Sequence, residues 1–372
     1  ETLRASGFTG NSNIAIGNEA GYSMTTANNN VAVGNAASRF LTTGNNNVAF
    51  GHQSLYSNSV GSYNTALGDQ ALKCSTCSFN VAVGSNALKT TTTGQFNVAV
   101  GWYAGSCNTT GGNNISIGTT SGYCNVTGQA NVAIGDDALR NNTVSHIIGI
   151  GYRTLCTNTT GADNTALGSQ ALSANTTGAG NTAVGRCTLT SNTTGTCNVA
   201  VGYLSLNSNT TGAENIGIGN KALQCSTTGG SNIAIGCNTM LNNTTGYNNT
   251  AVGRGAQQNN TTGFGNTSLG AQAFAANQTG FCSIAIGQQA LYSSTADQHN
   301  TAIGVFAMQQ NDGGCFNVAL GSYALCANTT ANNNVAIGNA ALRSNTIGTQ
   351  NTALGKDTLL SNVSGNCNVA IG

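Results

Sequence analysis

The distribution of large and small apolar residues along this chain has one theme. A large or β-branched residue, a small one and a second large one stand in a row, with Asn before them and Gly after: Asn30-Val31-Ala32-Val33-Gly34, Asn164-Thr165-Ala166-Leu167-Gly168, Asn232-Ile233-Ala234-Ile235-Gly236. The closing Gly falls at 17, 34, 51, 68, 84, 101, 118, 135, 151, 168, 185, 202, 219, 236, 253, 270, 287, 304, 321, 338, 355 and 372. That is 22 units, and 19 of the 21 intervals are 17 residues long; the other two, Gly68 to Gly84 and Gly135 to Gly151, are 16. Such a period is the mark of a repeat architecture.

Counting the Gly as position 17 of each unit, position 13 is Asn in all units except those with Ile147 and Ser283. Position 14 is Val, Ile or Thr, position 16 is Ile, Val, Leu or Phe, and position 15 is Ala apart from Ser116, Gly149, Gly217 and Ser268. Position 4 is mostly Leu, and positions 7 to 10 most often read Asn-Thr-Thr-Gly. Period-2 alternation on β-branched residues reads as a strand. A unit this short has no room for a helix pair, so the expected fold is all-β: a single-chain parallel β-solenoid of about 22 coils, one repeat per coil, over residues 1–372 as one continuous domain. Equal spacing puts equal residues in register about 4.8 Å apart, for a rod of about 100 Å. The two short units are expected to lose their residue in the Asn-Thr-Thr-Gly loop, because a loss inside the strand would turn its side chains to the wrong face.

Positions 14, 16 and 4 are expected to point inward, which leaves position 15 as an outward strip of small residues suited to a lateral interface with another chain. Asn at position 13 is expected to stack as an amide ladder, each side chain bonding to the next coil. Gly at position 17 is expected to serve a positive φ or close packing at a corner.

The strands Asn-Val-Ala-Val-Gly, Asn-Ile-Ala-Ile-Gly and Asn-Thr-Ala-Leu-Gly resemble those of trimeric autotransporter adhesin heads, and similar repeats occur in viral and phage fibre proteins. The likeness covers about five residues of each unit. It implies a β-roll architecture, and with it trimerisation and adhesion to a host surface.

Composition narrows the function. The chain is 6% charged with a net charge of +1 and no Pro, against about 25% charged in an average domain. Nothing in that balance favours nucleic acid or an anionic membrane, and no apolar run is long enough to cross a bilayer. His52, His146 and His299 sit in different units, Asp136 and Asp137 read as a solvated pair, and no catalytic, metal or cofactor constellation is evident. The expectation is a non-enzyme without a cofactor. At position 7, eleven units carry Asn-x-Ser/Thr: Asn108, Asn125, Asn158, Asn175, Asn192, Asn209, Asn243, Asn260, Asn277, Asn328 and Asn362. These are candidates for N-glycosylation in a secreted protein, although Asn-Thr-Thr-Gly is also good turn chemistry. The 13 cysteines suggest an oxidising, extracellular location. Candidate disulfides are Cys74–Cys77 across a shortened loop, Cys107–Cys124 at position 6 of adjacent coils, and Cys315–Cys326.

Three functional readings follow. The first is an extracellular structural fibre, assembling end to end and sideways with copies of itself and carrying covalent glycans. The second is an adhesin or viral fibre shaft that contacts a surface. The third is an ice-binding solenoid with ordered rows of Thr.

Overall fold

The computed structural model describes residues 8–372. It is a parallel β-solenoid. Among the described residues are 22 strands of three residues each, occupying positions 14 to 16 of every repeat, and the rest of each coil is turn and bend. The chain falls into two compact units, Glu1–Asn181 and Thr182–Gly372. In the first, strands run from Ile14–Ile16 to Thr165–Leu167; in the second, from Thr182–Val184 to Val369–Ile371. Within each unit every strand pairs in parallel with its counterpart one repeat on, as Ala32 with Ala49 and Ala234 with Ala251.

The register survives the two short coils. Thr65 still faces Val81, and Val132 faces Ile148. The missing residue is position 9, as the loop reading required: Cys77 and Val144 stand in the place of the position-10 Gly, their carbonyls accepting from Asn64 Nδ2 and Asn131 Nδ2 at 2.8 Å.

The strand faces are the reverse of the expectation. Position 15 is buried throughout the interior of both units, while positions 14 and 16 are half-buried or exposed. The cause is the narrowness of the coil. A Cβ added to Gly149 would lie 3.1 Å from Leu139 Cγ, and one added to Gly217 would lie 2.7 Å from Ser205 Oγ, within the same coil. Only a methyl group, a hydroxymethyl group or nothing fits between the strand and the wall opposite, so the large residues go outside.

In most coils the core is therefore one Leu and two small residues, joined by carboxamides; Gly105 and Gly122 leave coils 7 and 8 without a large residue at position 4. Leu55, Leu72, Leu139, Leu155 and Leu172 form the position-4 column of the first unit; Leu189, Leu206, Leu223, Leu291 and Leu325 belong to that of the second. Coils 2 and 3 exchange the large residue between positions. Gly21 and Ser38 replace the Leu of position 4, and the buried Met24 and Leu41 occupy position 7 instead. Met24 Cε comes to 3.0 Å from where a Gly21 Cβ would stand. Interior volume is conserved although the sequence pattern is not.

Asn at position 13 forms the expected ladder. In the first unit, Asn47 Nδ2 and backbone N both donate to Asn30 Oδ1, at 3.0 and 2.9 Å, and Nδ2 also donates to the Gly61 carbonyl at 2.9 Å. In the second, Asn232 does the same to Asn215 Oδ1 and the Gly246 carbonyl. Threonines at position 8 add a hydroxyl ladder, Thr227 Oγ1 donating to the Thr244 carbonyl at 3.1 Å and Thr244 Oγ1 to that of Thr261 at 3.0 Å. Stacking of identical side chains thus satisfies most of the interior polar groups that a thin coil cannot avoid.

Tight winding requires left-handed backbone at positions 2, 4 and 12, as at Gln53, Leu55 and Tyr63 (φ 52°, 49° and 60°). A Leu there costs about 1–2 kcal/mol, which its burial, about 1.5–3 kcal/mol, offsets. Thr120 is the one β-branched residue among the described residues to adopt positive φ, in a chain otherwise rich in Thr, Val and Ile. Gly at position 17 fulfils both parts of its expectation: φ lies near 130°, and a Cβ on Gly34 would come within 2.6 Å of the Gly51 carbonyl oxygen.

Candidate functional site

With position 15 inside, the outward strand face consists of positions 14 and 16. None of the 22 coils places a charged residue in either row. Ile115, Ile117 and Leu167 in the first unit, and Ile218, Ile235, Leu269 and Leu320 in the second, are 37% or more exposed. The pleat fixes successive rungs about 4.8 Å apart, so each unit presents two parallel uncharged rows on a backbone ladder, position 16 apolar throughout and position 14 a mixture of Val, Ile and Thr. Lone exposed aliphatic residues are ordinary, but continuous rows of them mark an interaction surface. The small-residue strip anticipated for lateral contact lies in the interior; the rows flanking it are the ones available.

Two exposed aromatic columns lie elsewhere on the coils. Tyr63, Phe79 and Phe96 stack with centroids 5.2 and 5.1 Å apart in the first unit. Tyr247, Phe264 and Phe281 stack at 5.0 and 4.8 Å in the second, and His299 and Phe316 continue that column. Their faces cover one another, so they tie coil to coil.

The sequon asparagines do not form a surface. Asn108, Asn125, Asn158, Asn175, Asn192, Asn209, Asn243, Asn260, Asn277 and Asn328 are buried, and Asn362 is half-buried. In all eleven, Nδ2 donates to the carbonyl three residues on, from 2.9 Å in Asn108, Asn175 and Asn209 to 3.3 Å in Asn277. Several also donate to the position-7 Asn of the previous coil, as Asn260 to Asn243 Oδ1 at 2.7 Å. An N-linked glycan would occupy the nitrogen that makes these bonds and would have to leave through the coil wall. The structure gives the glycosylation expectation no support: these residues form a second interior amide ladder. The signal was present in the sequence, since Met24 and Leu41 stand at the same position.

The candidate disulfides are not formed either. None of Cys74, Cys77, Cys107, Cys124, Cys315 and Cys326 is bonded to another cysteine. Cys77 points inward from position 10, its thiol donating to the Gly94 carbonyl at 2.7 Å, whereas Cys74 lies at position 6 and is half-buried. Cys315 and Cys326 fall at positions 11 and 5; Cys326 Sγ donates to Gln309 Oε1 at 3.8 Å, and burial pushes its thiol pKa up. Cys107 and Cys124 share position 6 of adjacent coils. Cys107 raises the Tyr123 phenol, while burial and then Cys107 raise the Cys124 thiol.

The histidines remain dispersed. His52 Nδ1 lies 2.8 Å from Asp69 Oδ1 on the surface, His146 occupies position 12 of coil 9, and His299 belongs to the aromatic column. No group of three or more His, Cys, Asp or Glu among the described residues is placed to hold a metal ion. Among the described residues no helix is long and apolar enough to cross a membrane. In comparison with known proteins, no family model and no curated sequence matches this chain.

Proposed function

We propose that the chain is the structural subunit of an extracellular fibre, associating sideways with copies of itself through the outward rows at positions 14 and 16. The observation that carries this reading is the absence of charge from both rows in every coil, combined with their exposure. The 12 strands of the second unit, at about 4.8 Å each and about 10 Å wide, present roughly 600 Å². A standard interface buries about 800 Å² per partner, and a repeat can extend its area by adding coils. Growth along the axis is the second contact of the fibre. Every coil offers the next the same strand edge, position-13 amide and position-8 hydroxyl, so an exposed coil is a template for another.

The test compares the native chain with the double variant Ile218→Lys/Leu269→Lys in sedimentation and electron microscopy. The native chain is expected to form lateral assemblies and the variant to lose them, with unchanged far-UV circular dichroism. A native chain that stays single at its highest soluble concentration, or a variant that assembles equally well, overturns the reading. A second reading, ordering of water at the same face, is favoured by Thr at position 14 in seven coils (Thr65, Thr165, Thr182, Thr250, Thr267, Thr301 and Thr352). Freezing hysteresis in dilute solution distinguishes it.

A further inference from the structure

In a repetitive molecule, a specific ligand is recognised where the repetition fails. Coils 7 to 9 of the first unit hold such a place. The chain has one tryptophan, Trp102, at position 1 of coil 7 and 55% exposed. Its ring meets Tyr103 edge to face at 4.5 Å, and Tyr103 leans on Tyr123 of coil 8 at 6.0 Å. With Thr120 and Arg140 these rings line an open cleft of about 280 Å³.

Thr120, the lone β-branched residue in the left-handed region, with φ 50°, lies in this same cleft. Its backbone N donates to the Trp102 carbonyl at 2.9 Å. Its hydroxyl lies 2.6 Å from Asp137 Oδ1 and 2.8 Å from the Thr119 carbonyl, and donates to one of them. The winding imposes this φ on position 2 of the neighbouring coils as well, at Tyr103 and Asp137 (54° and 55°); what is particular to Thr120 is the hydroxyl it brings into the cleft. Arg140 Nη1 stands 3.7 Å from the same Asp137 oxygen, a separation that balances the charge while leaving guanidinium N–H groups unengaged by that carboxylate.

We propose that this cleft binds a neutral oligosaccharide. A pyranose ring has a C–H face that packs on an exposed indole and a rim of hydroxyls that need donors and acceptors. Trp102, Tyr103 and Tyr123 supply the apolar wall; the Thr120 hydroxyl oxygen, the Tyr123 phenol and the Arg140 fork supply the polar partners. The Asp137 carboxylate beside Arg140 removes the preference for an anion that a bare guanidinium would create. Three coils span about 10 Å, the length of two pyranose rings.

Because Trp102 is the sole tryptophan, its fluorescence reports on the cleft alone. The full chain is titrated with maltotetraose, cellotetraose and tri-N-acetylchitotriose. At least one is expected to shift the emission saturably, and Arg140→Ala is expected to weaken that binding about tenfold through loss of charge-assisted hydrogen bonds. Trp102→Phe, followed by calorimetry, is expected to abolish the heat of binding while circular dichroism confirms the coil. Emission unmoved by all three sugars, or responding only in linear proportion to concentration, overturns the proposal. So does binding that Arg140→Ala and Trp102→Phe leave unchanged.

Discussion

Gln257 is the residue at which the interior logic of the second unit is most open to test. It occupies position 4 of coil 16, the Leu column, between Met240 and Phe274, and is fully buried. Neither Nε2 nor Oε1 has a hydrogen-bond partner. The carboxamide rows at positions 7 and 13 find most of their partners by stacking on their own kind, whereas Gln257 has only apolar neighbours in its row. A buried unmet donor or acceptor costs about 1–3 kcal/mol, and Leu is close to Gln in volume and is already accommodated at this φ elsewhere in the column. Gln257→Leu is therefore expected to stabilise coils 15 to 17 by about 2–4 kcal/mol, one carboxamide desolvation plus the apolar area gained. Long repeats do not unfold as one cooperative unit, so the assay is native-state hydrogen exchange rather than a melting midpoint. The amides of Met240, Gln257 and Phe274, which donate to Ala256, Ala273 and Ala290, should gain about 30- to 1,000-fold protection, tenfold for each 1.4 kcal/mol. Unchanged or reduced protection in a folded variant would refute the reasoning, because it would mean that the carboxamide is satisfied in solution.

Three other outcomes are expected. Asn232→Ala removes one of the two donors to the Gly246 carbonyl, leaving Asn243 Nδ2, and removes the acceptor of the Asn249 backbone N, and should destabilise its coils by about 1–3 kcal/mol in native-state hydrogen exchange; Asn232→Ser should cost less, since Ser283 Oγ accepts from Asn300 N at 3.2 Å in the natural exception. Ala234→Val, on the inward row, should cost about 1–3 kcal/mol through overpacking, whereas Ile233→Val on the outward row of the same strand should cost under about 1 kcal/mol, a contrast read in the local hydrogen-exchange protection. Asp297 replaces Gly at position 10 of coil 18 and is buried; burial pushes its carboxyl above the usual aspartate range, against bonds from Gly313 N and Asn311 Nδ2. The folded state then holds the proton more tightly than the unfolded chain, so the contribution is full below the unfolded pKa of about 3.9 and is lost as pH rises through the folded value. Hydrogen exchange in coils 18 and 19 should therefore show native protection rising relative to Asp297→Asn as pH falls toward that range, after correction for the intrinsic rate.

The period, the place of the strands, the loss of a loop residue in both short coils, the position-13 ladder and the role of the position-17 Gly were legible in the sequence alone. These features follow from translation: identical residues at identical spacing must stack, and a stacked Asn finds its partner in its own kind. Which side of each strand faces inward was not settled by that argument. Alternation at positions 14, 15 and 16 requires that Val31 and Val33 share one face and Ala32 the other, and it is silent on which face is the interior. The cross-section decides, and it is set by residues far along the coil: Leu139 against Gly149, Leu206 against Gly217. The same cross-section turned eleven sequons into interior amides, a conclusion that Met24 and Leu41 hinted at from position 7. The cleft at Trp102 was invisible for a different reason. It joins residues of three coils that share no motif, and only the winding of the chain, which brings Trp102, Thr120 and Arg140 onto neighbouring turns, makes them one surface.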